Sequence, residues 1–99
     1  MKKQTIFKIK DEIAFRKAAD GTTTIVSPAT DKILTINVAA TEIWEMLDGV
    51  SSAGVIAEKF ASIHANEEGF PGKERAQDDA LKIIEQFLNK KLIKIISGS

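Results

Sequence analysis

Ile36–Gly49 reads INVAATEIWEMLDG, and the fold turns on how this stretch is read. Ala39, Ala40, Ile43, Trp44, Met46 and Leu47 fall on one side of a helical wheel, with Thr41, Glu42, Glu45 and Asp48 on the other. Asn37 is placed to cap the first turn, and Gly49 to close the last as a C′ residue. The stretch therefore predicts an amphipathic helix that turns the only Trp of the chain toward a core. Asp48 is unfavourable at a helix C-terminus, so it is expected to cap the following helix near Ser51 or Ser52.

Upstream the period is that of strands. Ile13 and Phe15 alternate with polar or small neighbours, Thr22–Val26 is rich in β-branched residues, and Leu34 and Ile36 alternate with Ile33 and Thr35. Asp20-Gly21 is a hairpin signal, because glycine accepts the positive φ such turns demand, and Ser27–Asp31 (SPATD) supplies a second turn. Three strands in an antiparallel meander follow. Thr5–Ile9 is a further strand candidate.

Downstream, a second helix is expected from about Ser52 to Ala65, with Ile56, Phe60 and Ile63 inward. Residues 66–72 (NEEGFPG) form a loop. A third helix runs from about Glu74 to Lys90, and LIKII closes the chain as a short strand. The sequence thus predicts an α+β fold, a three-stranded antiparallel sheet followed by three helices. With 99 residues and no linker, repeat or low-complexity tract, residues 1–99 are read as a single domain.

Composition excludes several roles. Lys and Arg number 14, as do Asp and Glu, so the formal charge is zero, and a phosphate-binding surface is not expected. A winged-helix transcriptional regulator is the alternative reading, because a sheet and three helices could build one. The second helix offers Lys59 alone among basic residues, however, and the third opposes Lys82 and Lys90 with Asp78, Asp79 and Glu85. The chain has no Cys, hence no thiolate zinc site, disulfide or cysteine nucleophile. No apolar run is long enough for a secretion signal or membrane span, and the expected location is the cytoplasm. His64, with Glu67 and Glu68 nearby, is the one residue that titrates near neutrality unaided. A lone His beside two carboxylates is a poor ligand set, so a structural or surface role is expected. Ser51 and Ser52 are better explained by capping than by nucleophilic chemistry. No catalytic residue, metal site or cofactor is expected, and the chain reads as a non-enzyme.

The third helix carries more information. Ala76, Ala80, Leu81, Ile83, Ile84, Phe87 and Leu88 cover an arc of roughly 160°, wider than the roughly 100° a singly packed helix requires. Two readings account for the width. Neighbours on two sides bury the whole arc, or one edge (Leu81, Ile84 and Leu88) lines a groove beside a sheet edge, a receptor for an extended peptide.

ILTINVAATEIWEMLDG resembles the signature of the PqqD family: Leu-Asn, a small residue, Ala, two variable positions, an aliphatic pair, then Asp-Gly. The resemblance runs from about Ile13 to Ile96. Ile36 stands where the family usually has Leu, and the loop at Asn66–Lys73 is longer than usual. The resemblance implies a winged helix-turn-helix-like domain that binds the leader of a ribosomally made precursor peptide. Such a domain presents the leader to a modifying enzyme, often of the radical S-adenosylmethionine type, as in pyrroloquinoline quinone biosynthesis. It also implies a peptide held as an added strand on Ile33, Leu34, Thr35 and Ile36, with side chains against Leu81, Ile84, Glu85 and Leu88. A free strand edge further predicts a weak, concentration-dependent homodimer when no peptide is bound, formed through Lys32–Ile36 or by exchange of an N-terminal strand.

Overall fold

The computed structural model describes residues 2–28 and 31–98. Its first strand, β1 (Ile6–Ile9), is followed by three short strands, β2 (Ala14–Lys17), β3 (Thr23–Ser27) and β4 (Lys32–Ile36). The last three form the expected antiparallel meander, in register at Phe15↔Ile25 and Ile25↔Leu34. At the first hairpin Gly21 takes φ +90°, and Asp20 Oδ1 accepts from the Thr22 hydroxyl at 2.7 Å and the Thr22 amide at 3.0 Å. The second turn includes Ala29 and Thr30, which lie outside the described residues; Asp31 beyond them has φ +54°.

Helix α1 (Val38–Glu45) begins as the sequence predicts, with Asn37 Oδ1 accepting from the Ala40 amide at 2.9 Å. Its end differs, since the helix closes at Met46 and Gly49 belongs to a strand. That strand, β5 (Asp48–Ser52), pairs antiparallel with β1, which pairs on its other side with β6 (Ile93–Ser97). A second three-stranded sheet, ordered β5-β1-β6, therefore accompanies the meander, and the expectation of one sheet is corrected. Asp48 does accept from the Ser51 amide, and also from that of Val50, both at 2.8 Å. These bonds fold the start of β5 and hold the carboxyl below its ordinary pKa. The cap of α2 (Ala53–His64) is Ser52, which accepts from the Val55 amide.

Helix α2 packs chiefly against α3 (Lys73–Asn89). Both bury alanines (Ala53, Ala57 and Ala61 on one, Ala76 and Ala80 on the other), which permits a close approach. Ile56 and Phe60 face inward as expected, whereas Ile63 is 58% exposed. The alanine line draws the buried stripe of α2 away from Ile63, so the larger side chain is left outside.

Trp44 is the centre of the core. Phe15 meets its ring edge-on from β2 at 5.4 Å, and Phe87 from α3 at 5.1 Å. A buried Thr41–Thr23 hydroxyl hydrogen bond of 2.9 Å ties α1 to β3. These contacts hold the meander and α3 on either side of α1.

Candidate functional site

Among the described residues strand β4 pairs only with β3, and its other edge has no strand partner. Period-two alternation puts Lys32, Leu34 and Ile36 on the face turned toward the helices, and Ile33 and Thr35 on the outer face. Ile36 is buried, Leu34 half-buried, Thr35 exposed, and Ile33 75% exposed.

Between β4 and α3 lie two open hollows. One, of about 410 Å³, is lined by Lys32, Ile33, Leu34, Lys90 and Lys91, with Ile25 and Leu92 among the apolar residues. The other, of about 210 Å³, is lined by Leu34, Thr35 and Ile36 on the strand and by Ile83, Gln86, Phe87 and Lys90 on the helix. They share Leu34 and Lys90 and so adjoin along β4, a groove in two parts. Among the described residues no Asp or Glu lines either hollow.

The helical wall of this groove differs from the expected one. Ile83, Gln86, Phe87 and Lys90 follow i, i+3, i+4, i+7 spacing and form one stripe. Ile84 is fully buried in the core. Leu81 and Leu88 are half-buried against the core and Glu85 is exposed, but none of the three lines either hollow. The arc read from periodicity is present and its open edge is the other one. The strand residues Ile33, Leu34, Thr35 and Ile36 do border the groove. Sequence reasoning missed Gln86, Asn89, Lys90 and Lys91; the pair of lysines closing the helical pattern was the available signal.

The end of α3 shapes the wider hollow. The Lys91 amide donates to the Leu88 carbonyl and the Leu92 amide to that of Phe87, both at 3.0 Å, forming a Schellman closure. Lys91 holds the left-handed position of this motif at φ +62°, where glycine is favoured and another residue costs on the order of 1 kcal/mol. Leu92 and Phe87, its apolar partners, are buried.

Away from the groove, His64 bridges two carboxylates. Its Nε2 lies 3.1 Å from both Glu42 oxygens and its Nδ1 2.6 Å from Glu67 Oε2, while its ring packs on Phe60 at 4.7 Å. The Glu67 hydrogen bond raises the His64 pKa above its ordinary value, with burial opposing and the Glu42 and Glu67 charges assisting. Glu68, expected beside it, is not a hydrogen-bond partner of the imidazole. Among the described residues no three His, Asp or Glu side chains converge in a metal-binding arrangement. No helix among them is long and apolar enough to cross a membrane.

Residues 23–93, which include both walls of the groove, match the family described as coenzyme PQQ synthesis protein D, PqqD. The chain belongs to the PqqD family. Its fold is that of a solved structure, TbiB1 in complex with the TbiA(beta) leader peptide. The two superpose with a TM-score of 0.70 over 92% of this chain and 99% of that one, at 15% sequence identity. No curated protein sequence matches the chain. The PqqD match begins at β3, so β1 and β2 lie outside it, while β4, α1, α2 and α3 lie within.

Proposed function

We propose that this PqqD-family chain is one non-catalytic recognition unit that binds the leader of a ribosomally made precursor peptide. The leader adds to the unpaired edge of β4 as an extended strand. Backbone hydrogen bonds to β4 supply affinity, and alternate side chains enter the groove against Ile83, Gln86, Phe87 and Lys90. The observation that carries this reading is the coincidence of an unpaired strand edge with an open, largely apolar groove beside it. Family membership and a fold shared with a protein solved on a leader peptide support it.

The bound leader is presented to a modifying enzyme, for which a radical S-adenosylmethionine protein is our candidate. Coenzyme PQQ synthesis, named in the family description, is the first pathway to test. A ribosomal product is met where it is made, so we assign the chain to the cytoplasm. Without peptide, the β4 edge is also a template for weak self-pairing. We read α1–α3 and the β3–β4 hairpin as a winged-helix-like arrangement put to peptide rather than DNA, in keeping with the zero formal charge.

Titration calorimetry with the precursor encoded beside this gene tests the reading. Gln86 is exposed, so Gln86→Trp fills the groove while sparing the core. Leader affinity should fall at least about tenfold with the melting temperature unchanged. Unaltered affinity in folded Gln86→Trp protein would remove this groove as the leader site.

A further inference from the structure

The groove is apolar along its floor, yet its wider end is ringed by Lys32, Lys90 and Lys91. Among the described residues none of these lysines forms an ion pair, although three lysine–carboxylate pairs occur elsewhere. With no Asp or Glu lining either hollow, the positive charge of this end is not neutralised from within the groove. A chain with zero formal charge has thus gathered unpaired cations at one end of an unpaired strand. Lys91 stands at this mouth on the left-handed helix-closing position, φ +62°, a place glycine would fill with less strain.

We infer that the groove selects an extended peptide carrying two apolar side chains followed by an acidic one, at alternate positions. This rests on the strand-addition reading above and specifies its ligand. The inward residues of β4 are Lys32, Leu34 and Ile36 in chain order. A strand added antiparallel, continuing the antiparallel meander, meets them in reverse. Its inward side chains therefore oppose Ile36, then Leu34, then Lys32, giving apolar-x-apolar-x-Asp/Glu from N- to C-terminus. The apolar pair enters the hollows over Phe87 and Leu34, and the carboxylate reaches the lysine ring.

Selection of a displayed library of random twelve-residue peptides on the intact protein tests this. Backbone-amide NMR shifts, recorded on adding the synthesised winners, report where they bind. Winners should carry the alternating pattern and shift the amides of Lys32–Ile36. Changing their acidic residue to Lys should weaken binding at least about tenfold at low salt, with the gap narrowing as salt rises. Lys91→Gly should weaken the acidic winners severalfold while the melting temperature is held or raised, because the backbone strain is relieved as the charge is lost. Winners that shift β4 but show no acidic preference would overturn the lysine assignment and leave strand addition standing. Winners that leave β4 unshifted, or a library yielding none, would overturn strand addition and this inference with it. A Lys91→Gly protein that loses affinity and melting temperature together would show Lys91 to be a structural cap and remove it from recognition.

Discussion

The two flanks of α3 are built from similar residues and face different surroundings. Leu81 and Leu88 lie on one flank, and Ile83 and Phe87 on the other, with the fully buried Ile84 between them. Leu81, Ile83 and Leu88 are alike half-buried against the core and Phe87 is buried in it, but of the four only Ile83 and Phe87 also line a hollow beside β4 that opens to solvent. Hydrophobicity alone does not distinguish them. What differs is the company: Gln86 and Lys90 share the open stripe and Glu85 adjoins the closed one. An amphipathic arc states how much of a helix is covered, and the neighbours decide which part of that cover is another chain's to supply.

The sharpest break of this comparison lies at its centre. Ile84→Asp puts a carboxylate at a site with no exposure, so the fold should lose more than about 4 kcal/mol and leader binding should vanish with it. A cooperative melt close to that of the parent protein would show that Ile84 faces the groove after all. Leu88→Ala should act in the same direction and less, costing about 1–2 kcal/mol in denaturant unfolding. Its leader affinity, measured well below the unfolding midpoint, should equal that of the parent, because this flank does not line the groove. On the open flank affinity is lost as well. Ile83→Ser, equally half-buried, should cost about 1–2 kcal/mol of stability and also reduce leader affinity severalfold. Equal affinity losses from Leu88→Ala and Ile83→Ser would erase the distinction between the flanks.

The smallest effect belongs to His64, remote from both flanks. A histidine whose pKa is raised on folding stabilises the fold when protonated. Its contribution is complete below the unfolded value of about 6.5 and disappears as pH rises through the higher folded value. His64→Gln should therefore lower the melting temperature at pH 5.5, by an amount equivalent to about 1 kcal/mol or less, and lower it less at pH 9. Leader affinity should be the same in both proteins. A melting-temperature difference that grows with pH would reverse the sign of this account.

Much of this was legible locally. The Asp20-Gly21 turn, the Asn37 cap, the β2–β3–β4 meander and the strand candidates at Thr5–Ile9 and LIKII are all encoded within a few residues of where they act. β5 was not. Its sequence, DGVSS, has neither alternation nor β-branched density; it is a strand because β1, distant in sequence, offers it an edge. Ile63 failed for a related reason: the seven-residue recurrence from Ile56 is helical, but the alanines of α2 set which side approaches α3. The site divides the same way. Period-two alternation marked Lys32–Ile36 as a strand and the PqqD resemblance pointed to it as a wall, whereas the helix side required knowing on which side of Ile84 the meander would lie.

Trp44 gives the molecule an optical property. It is the only Trp in the chain, its ring centroid lies 5.1 Å from that of Phe87, and among the described residues its buried Nε1–H has no hydrogen-bond partner. Phe87 is shared between this indole and the groove wall. A side chain seating itself on Phe87 will disturb the ring that the indole rests against, and the emission of Trp44 will change in wavelength or yield. The protein thus carries an unlabelled fluorophore one aromatic ring behind its groove, and occupancy can be followed in the native chain as ligand is added.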